Sequence, residues 1–307
     1  MLRKVKAKNA RTKRFLDNRA PKVVENAKTS IMVRGSSSSA VVNQALADLY
    51  SIKKPNAVNF TKKNDVHPFE DTQKLEFYSQ KNDASLLLVG NHNKKRPHNL
   101  TLMRMFDYQV LDMYEFGITQ FVSLHDLDTP KCAVGMKPSV LFQGDWESTP
   151  ELQNIQNAWL DFFQGEKVST INLAGLEYCI AITHLNGTIH LRVYTAHLKK
   201  SGQKLPRIEL VEMGPRIDLT VRRTRPPVQE LWKAATKMPK ELKPSKTKNI
   251  KTDVFGDKFG QLHMQKQDLA MLQTRKMKAL KRTRDPAEDA EDDDAAGAGS
   301  DVDMDEA

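Results

Sequence analysis

Residues 207–225 read RIELVEMGPRIDLTVRRTR, two short limbs around Gly214-Pro215. In the second limb Ile217, Leu219 and Val221 alternate with Arg216, Asp218, Thr220 and Arg222. That two-residue period is the mark of a strand with one face on a core. Gly-Pro between two such limbs predicts a turn, so the limbs are expected to form a hairpin. The polar face then lifts arginines outward, and Arg223 and Arg225 continue past the strand end. Two readings stand: an edge strand whose arginines are merely solvated, or a ladder of cations positioned to hold phosphate.

Upstream, Asn186-Gly187 favours a two-residue type I′ turn and hence a second hairpin. Its register sets Ile182 against Leu191, Ile180 against Val193 and His184 against Ile189, which puts the apolar pairs on one face. The second half of the chain is therefore expected to be mostly antiparallel sheet. Earlier still, residues 139–142 form a short strand, and Thr149-Pro150 opens a helix whose Leu152, Ile155, Trp159, Phe162 and Phe163 turn inward, ending near Gly165. The same strand–loop–helix order occurs at residues 30–50, where a strand over 30–33 precedes a helix carrying Val42, Ala45, Leu46 and Leu49 on one side. Residues 71–80 read as a helix, 85–90 (SLLLVG) as a buried and parallel-compatible strand, 121–124 as a further short strand, and 228–238 as a helix stopped by Pro239. Alternating strands and helices followed by hairpins predict an α/β (α+β) body of two similar halves, each a sheet packed by helices.

Charge divides the 307 residues more sharply than the net +10 suggests. Residues 1–28 carry ten bases against two acids, and 233–284 fifteen against four. Residues 285–307 carry eleven acids and no base, leaving 29–232 with an excess of only two positive charges. The expected organisation is a basic arm (1–28, with a short helix over 9–18), a near-neutral body (29–238, halves about 29–130 and 135–238), a basic extension (239–284, with a helix over 258–281) and an acidic disordered tail. Basic arms on a neutral body point to a polyanionic partner and salt-dependent binding. Cys132 and Cys179 lie far apart without a CxxC pair and are expected to be reduced, buried thiols in an intracellular compartment. No apolar run is long enough for a membrane span, and the N-terminus lacks the apolar region of a secretory signal.

Catalytic chemistry finds little support. The eight histidines show no HExxH, and His184 and His190 fall on opposite faces in the hairpin register, which argues against a shared metal. There is no GxSxG, and Asp126 and Asp128 read better as a loop before Pro130 than as a carboxylate pair. The loop Arg34-Gly35-Ser36-Ser37-Ser38-Ser39 lies between strand and helix, where serine either caps the helix or, with Arg34, meets a phosphate. It lacks the GK[ST] of a nucleotide-binding loop. Lys94, Lys95 and Arg96 form a basic turn with the same two readings, solvated loop or phosphate contact. No cofactor is expected.

The segments KTSIMVRG, KKPNAVNF, HPFED, LEFYSQKNDASLLLVG, KKRPHNLTLMRMFDYQVLDM and MGPRIDLTVRR resemble, in that order, the Brix domain of eukaryotic ribosome-assembly factors. The resemblance covers roughly residues 3–240; the arms conform to it only in charge. It implies two similar α/β halves, a nucleolar location and no enzymatic activity. It also implies a heterodimer with the regulator of ribosome synthesis protein that brings 5S rRNA and its two ribosomal proteins to pre-60S rRNA. The rivals are another Brix-type factor working with snoRNA and an RNA-processing enzyme. Candidate RNA contacts are Arg34, Ser36, Lys94, Lys95, Arg96, Arg216, Arg222, Arg223 and Arg225.

Overall fold

The computed structural model describes residues 6–19, 22, 25–165, 168, 170–172, 175–238, 242–243, 247–262 and 264. The chain divides into two units, Met1–Lys243 and Pro244–Ala307. The first unit holds helices α1 (Ala10–Arg19), α2 (Ala40–Lys53), α3 (Gln73–Asn82), α4 (Pro150–Phe163) and α5 (Gln229–Thr236). Its strands are β1 (Ser30–Gly35), β2 (Ala57–Asn64), β3 (Leu86–Asn91), β4 (Asn99–Phe106), β5 (Gln109–Val122), β6 (Ser139–Gly144), β7 (Tyr178–Leu185), β8 (Thr188–Lys199), β9 (Arg207–Glu212) and β10 (Arg216–Arg225). The second holds β11 (Ile250–Thr252) and β12 (Lys258–Gly260), an antiparallel pair.

Among the described residues, the first unit builds one mixed sheet in the order β2-β1-β3-β4-β5-β10-β8-β7-β6, with β9 on β8. The order contains its own copy. β1 pairs in parallel with β3, and β3, β4 and β5 follow antiparallel. Likewise β6 pairs in parallel with β7, and β7, β8 and β10 follow antiparallel. The copies meet where β5 and β10 pair antiparallel, and α2 and α4 occupy matching places after β1 and β6. The expected two halves are therefore present, with their sheets fused into one.

Local chemistry explains the elements. Ser39 and Thr149, both in extended backbone, cap α2 and α4 by accepting from the amides of Val42 and Leu152 at 3.3 Å, and Pro150 supplies a pre-set φ at the helix start. Serine capping thus accounts for Ser39. Buried Val42, Ala45, Leu46 and Leu49 from α2, with Ile155, Trp159, Phe162 and Phe163 from α4, share one core with the facing side of the sheet. Gly90 on β3 lets α2 approach, since a Cβ there would stand 2.4 Å from Val42. On the opposite side α3 contributes Leu75 to a second core with Ile31, Val33, Leu87, Val89 and Met103. The β7–β8 register is as expected, and Asn186 and Gly187 take the positive φ of a type I′ turn (50° and 76°).

Four expectations change. The limbs around Gly214-Pro215 do not pair with each other. β9 pairs with one end of β8 (Glu212 opposite Tyr194) and β10 with the other (Ile217 opposite Leu191), so the chain keeps its direction. The amides of Met213 and Gly214 both donate to the Val193 carbonyl, the mark of a step in one ladder. Gly214 takes a φ of +83°, and a Cβ would press Leu127 and Leu124. Second, β10 is no edge strand: β5 and β8 flank it at the centre of the sheet. Third, the helix expected over 258–281 begins as strand β12 at Lys258–Gly260; 265–281 and the acidic tail lie outside the described residues. The strand expected at 121–124 is the end of the longer β5, which forms with β4 a hairpin that sequence reading missed. Asp107 and Tyr108 turn it at positive φ (50° and 63°) without an Asn-Gly signal.

Candidate nucleic-acid interface

Parallel pairing of β1 with β2 and β3 brings three carboxyl ends to one rim, the place where open α/β sheets gather ligands. The β1–α2 loop and the β3–β4 loop are stapled there. The His92 amide donates to the Ser37 carbonyl at 2.7 Å, and Ser39 Oγ meets His98 Nδ1 at 2.8 Å. The rings of His92 and His98 lie 5.0 Å apart. Asn93 and Arg96 close the basic turn with reciprocal backbone bonds of 3.2 Å.

This framework presents Arg34, Lys94 and Lys95, together with Lys62 and Lys63 from the end of β2. None of the five makes an ion pair among the described residues. Lys62, Lys63, Lys94, Lys95 and Ser36 are exposed, and Arg34 Nε donates to Ser38 Oγ at 3.1 Å. Lys62 and Lys63 escaped sequence reading because only the pairing of β2 with β1 brings them beside Arg34. Two consecutive lysines at the end of an edge strand were the available signal.

The arginines of β10 behave differently. Arg223 is paired with the fully buried Glu115, donating Nη2 to Oε1 at 3.1 Å, and its guanidinium lies 4.0 Å over the Phe69 ring. Asn99 also donates to Glu115, and Arg96 stands 3.9 Å away. Burial pushes the Glu115 carboxyl up, but these hydrogen bonds and the charges of Arg223 and Arg96 outweigh it and hold it below the usual carboxylate range. Arg222 covers Gly117, where a Cβ would clash with its guanidinium, and donates to Asn99 at 3.1 Å. Arg216 stands at the other end of the strand, paired with Glu212 at 2.5 Å, and Arg225 is exposed opposite Met113. Asp218 between them is taken by Arg192 at 2.6 Å and His190 at 2.9 Å. The ladder of arginines is therefore not free-standing: Arg222 and Arg223 are tied to Asn99 and Glu115 beside the central strand, and Arg216 to Glu212 four residues before it.

Among the described residues no group of His, Cys, Asp and Glu could hold a metal ion. Cys179 is buried, Cys132 half-buried, and both are free thiols. No helix among them is long and apolar enough to cross a membrane.

The model of the Brix domain matches residues 35–223, from the last residue of β1 to Arg223. The chain belongs to the Brix-domain family. The ribosome production factor 2 homolog of Schizosaccharomyces pombe is 46% identical, over 96% of this chain and 96% of that protein. The homolog of the same name from Homo sapiens is 51% identical, over 84% of this chain and 85% of its own. The ribosome biogenesis protein RPF2 of Saccharomyces cerevisiae is 42% identical, over 92% and 86%. The crystal structure of a probable ribosomal biogenesis protein from Aeropyrum pernix K1 aligns with a TM-score of 0.40 at 13% identity, covering 63% of this chain and 96% of that one. The Brix match therefore begins and ends beside the rim: its first residue, Gly35, precedes the serine loop, and its last, Arg223, clamps Glu115.

Proposed function

We propose that this Brix-domain chain is a non-enzymatic, nucleolar assembly factor of the large ribosomal subunit. With the regulator of ribosome synthesis protein it binds 5S rRNA and brings the 5S ribonucleoprotein, with its two ribosomal proteins, to pre-60S rRNA. The observation that carries the RNA reading is the rim: five cations without ion pairs among the described residues, held on a stapled frame, in a body whose charges otherwise nearly cancel. Phosphate contacts of this kind position a backbone without reading sequence. Replacing Lys62, Lys63, Lys94 and Lys95 by Gln lowers 5S rRNA affinity and flattens its salt dependence by roughly 0.7–0.9 per lost contact, with the melting temperature unchanged. An unaltered slope moves RNA binding off the rim, to the basic arm (1–28) and extension (239–284). Recovery of snoRNA rather than 5S rRNA from cell extract favours the other Brix-type reading.

The partner reading rests on the second half. α4 covers one side of β6, β7, β8 and β10. On the other side Leu141, Leu198, Ile208 and Leu210 are exposed, with Leu198 opposite Ile208 and Ala196 opposite Leu210. An apolar sheet face of this kind is an aggregation hazard unless covered. A partner helix across it, or a strand added to β6, meets the need. Hydrogen exchange on the complex then gains protection in β6–β9; unchanged exchange there rules this surface out.

A further inference from the structure

The β11–β12 hairpin is built without a core. The Gln261 amide donates to the Asn249 carbonyl at 2.7 Å, closing its base, and the Asp253 amide to the Asp257 carbonyl at 2.8 Å, closing its turn. Gly256 at a φ of +91° and a bond from the Val254 amide to Asp253 Oδ1 complete the loop. Its apolar side chains stand in water: Val254 is 95% exposed, Phe255 90% and Phe259 58%. They do not share one side. Phe259 lies on the same face as its cross-strand neighbour Lys251, Ile250 belongs with Thr252 and Lys258 on the other, and Phe255 occupies the tip. One apolar groove of a protein covers one face of such a ribbon. Separate rings, one opposite Lys251 and one at the tip of a ribbon that carries Lys251 and Lys258, suit separate flat partners joined by a charged backbone. The surrounding residues 233–284 carry fifteen bases against four acids.

We propose that this hairpin is a stacking element for unpaired nucleotides: Phe255 and Phe259 take bases on their faces while Lys251 and Lys258 meet the adjoining phosphates. The inference rests on the RNA-binding reading above and specifies its substrate as single-stranded RNA, since a base held in a duplex has no free face. Among the described residues the hairpin is closed by backbone hydrogen bonds and both rings are mostly exposed, so both can be removed without unfolding it.

The test uses the full chain and three probes: 5S rRNA, a uridine oligomer of about twelve nucleotides, and a blunt duplex of equal length. The double variant Phe255→Ala/Phe259→Ala binds the uridine oligomer at least about tenfold more weakly at every salt concentration. The slope of affinity against salt stays the same, because no cation is lost, and duplex binding is unchanged. Phe255→Trp restores binding at that position, and its fluorescence is quenched by the oligomer. If the wild-type chain binds none of the three probes, the RNA-binding reading fails and the inference with it. If the wild type binds and the double variant binds equally well, or loses duplex and oligomer alike, the inference alone is overturned. Loss of a protein partner with RNA binding intact assigns the rings to a protein surface instead and overturns it too.

Discussion

The two halves of the sheet repeat one plan, yet only one is finished on both sides. In the first half α2 and α3 cover opposite faces of the sheet. In the second, α4 repeats α2, but among the described residues no helix or strand separates α4 from β7 where β2 and α3 stand in the first half. A sheet with both faces buried satisfies its apolar residues alone. One with a single helix leaves leucines and an isoleucine about half in water, each forgoing roughly half of the 1.5–3 kcal/mol that full burial brings. The difference teaches where the molecule is self-sufficient and where it has room for another chain.

The largest effect expected tests whether the halves are one cooperative unit. Trp159 of α4 is fully buried and stands 5.5 Å from Phe116 of β5, across the junction. Trp159→Ala costs about 4 kcal/mol. If fusion at β5–β10 couples the halves, calorimetry records one transition moved to lower temperature. A second, unmoved transition means that the first half folds alone.

Next comes the junction itself. Arg223→Glu sets two carboxylates against each other at the buried Glu115 and costs about 3 kcal/mol or more, readable as a shifted urea midpoint at unchanged m-value. An unshifted midpoint returns Arg223 to the surface role that its sequence pattern suggests.

A comparable effect with a pH signature comes from Lys53, buried at the end of α2 with its ammonium 5.7 Å from the Phe162 ring of α4. Burial, reinforced by the charge of Lys28, pulls its pKa down to about 8. The unfolded chain holds this proton up to a pH near 10.4, so between about 8 and 10.4 the unfolded state binds more protons and this group's contribution to stability rises with pH. Below pH 8 the charge is carried in both states and its burial opposes folding by about 3 kcal/mol. Lys53→Met is thus more stable than the wild type at pH 7, and the gap closes by pH 10.5. A gap independent of pH shows that Lys53 is not the titrating group.

The smallest effect on stability is the sharpest contrast between faces. Ile208→Lys with Leu210→Lys changes the stability of the isolated chain by no more than about 0.5 kcal/mol per site, while co-elution with the partner proposed above, the regulator of ribosome synthesis protein, is lost. Leu75→Lys, on the covered face of the first half, unfolds the chain by burying an unpaired charge.

Much of this architecture was legible without coordinates. The alternation of residues 217–221, the Asn186-Gly187 turn with its register, the Ser39 and Thr149 caps, and the echo of 30–50 in 139–163 are all local. Each depends on residues a few positions apart, and propensity and periodicity report that scale faithfully. What lay beyond it was pairing between distant strands. Nothing near Arg223 announces Glu115, and nothing near Lys62 announces Arg34, because both placements depend on which strands become neighbours. Gly214-Pro215 makes the same point: the dipeptide breaks a strand wherever it occurs, but whether the chain then reverses or steps onward is decided by β8, which offers one continuous edge to both limbs. The sequence by itself determined most of the elements, the duplication and the separation of basic arms from a neutral body. Only the tertiary structure decided which cations remain free to meet a phosphate, because a charge is free or spent according to neighbours that the chain brings from far away.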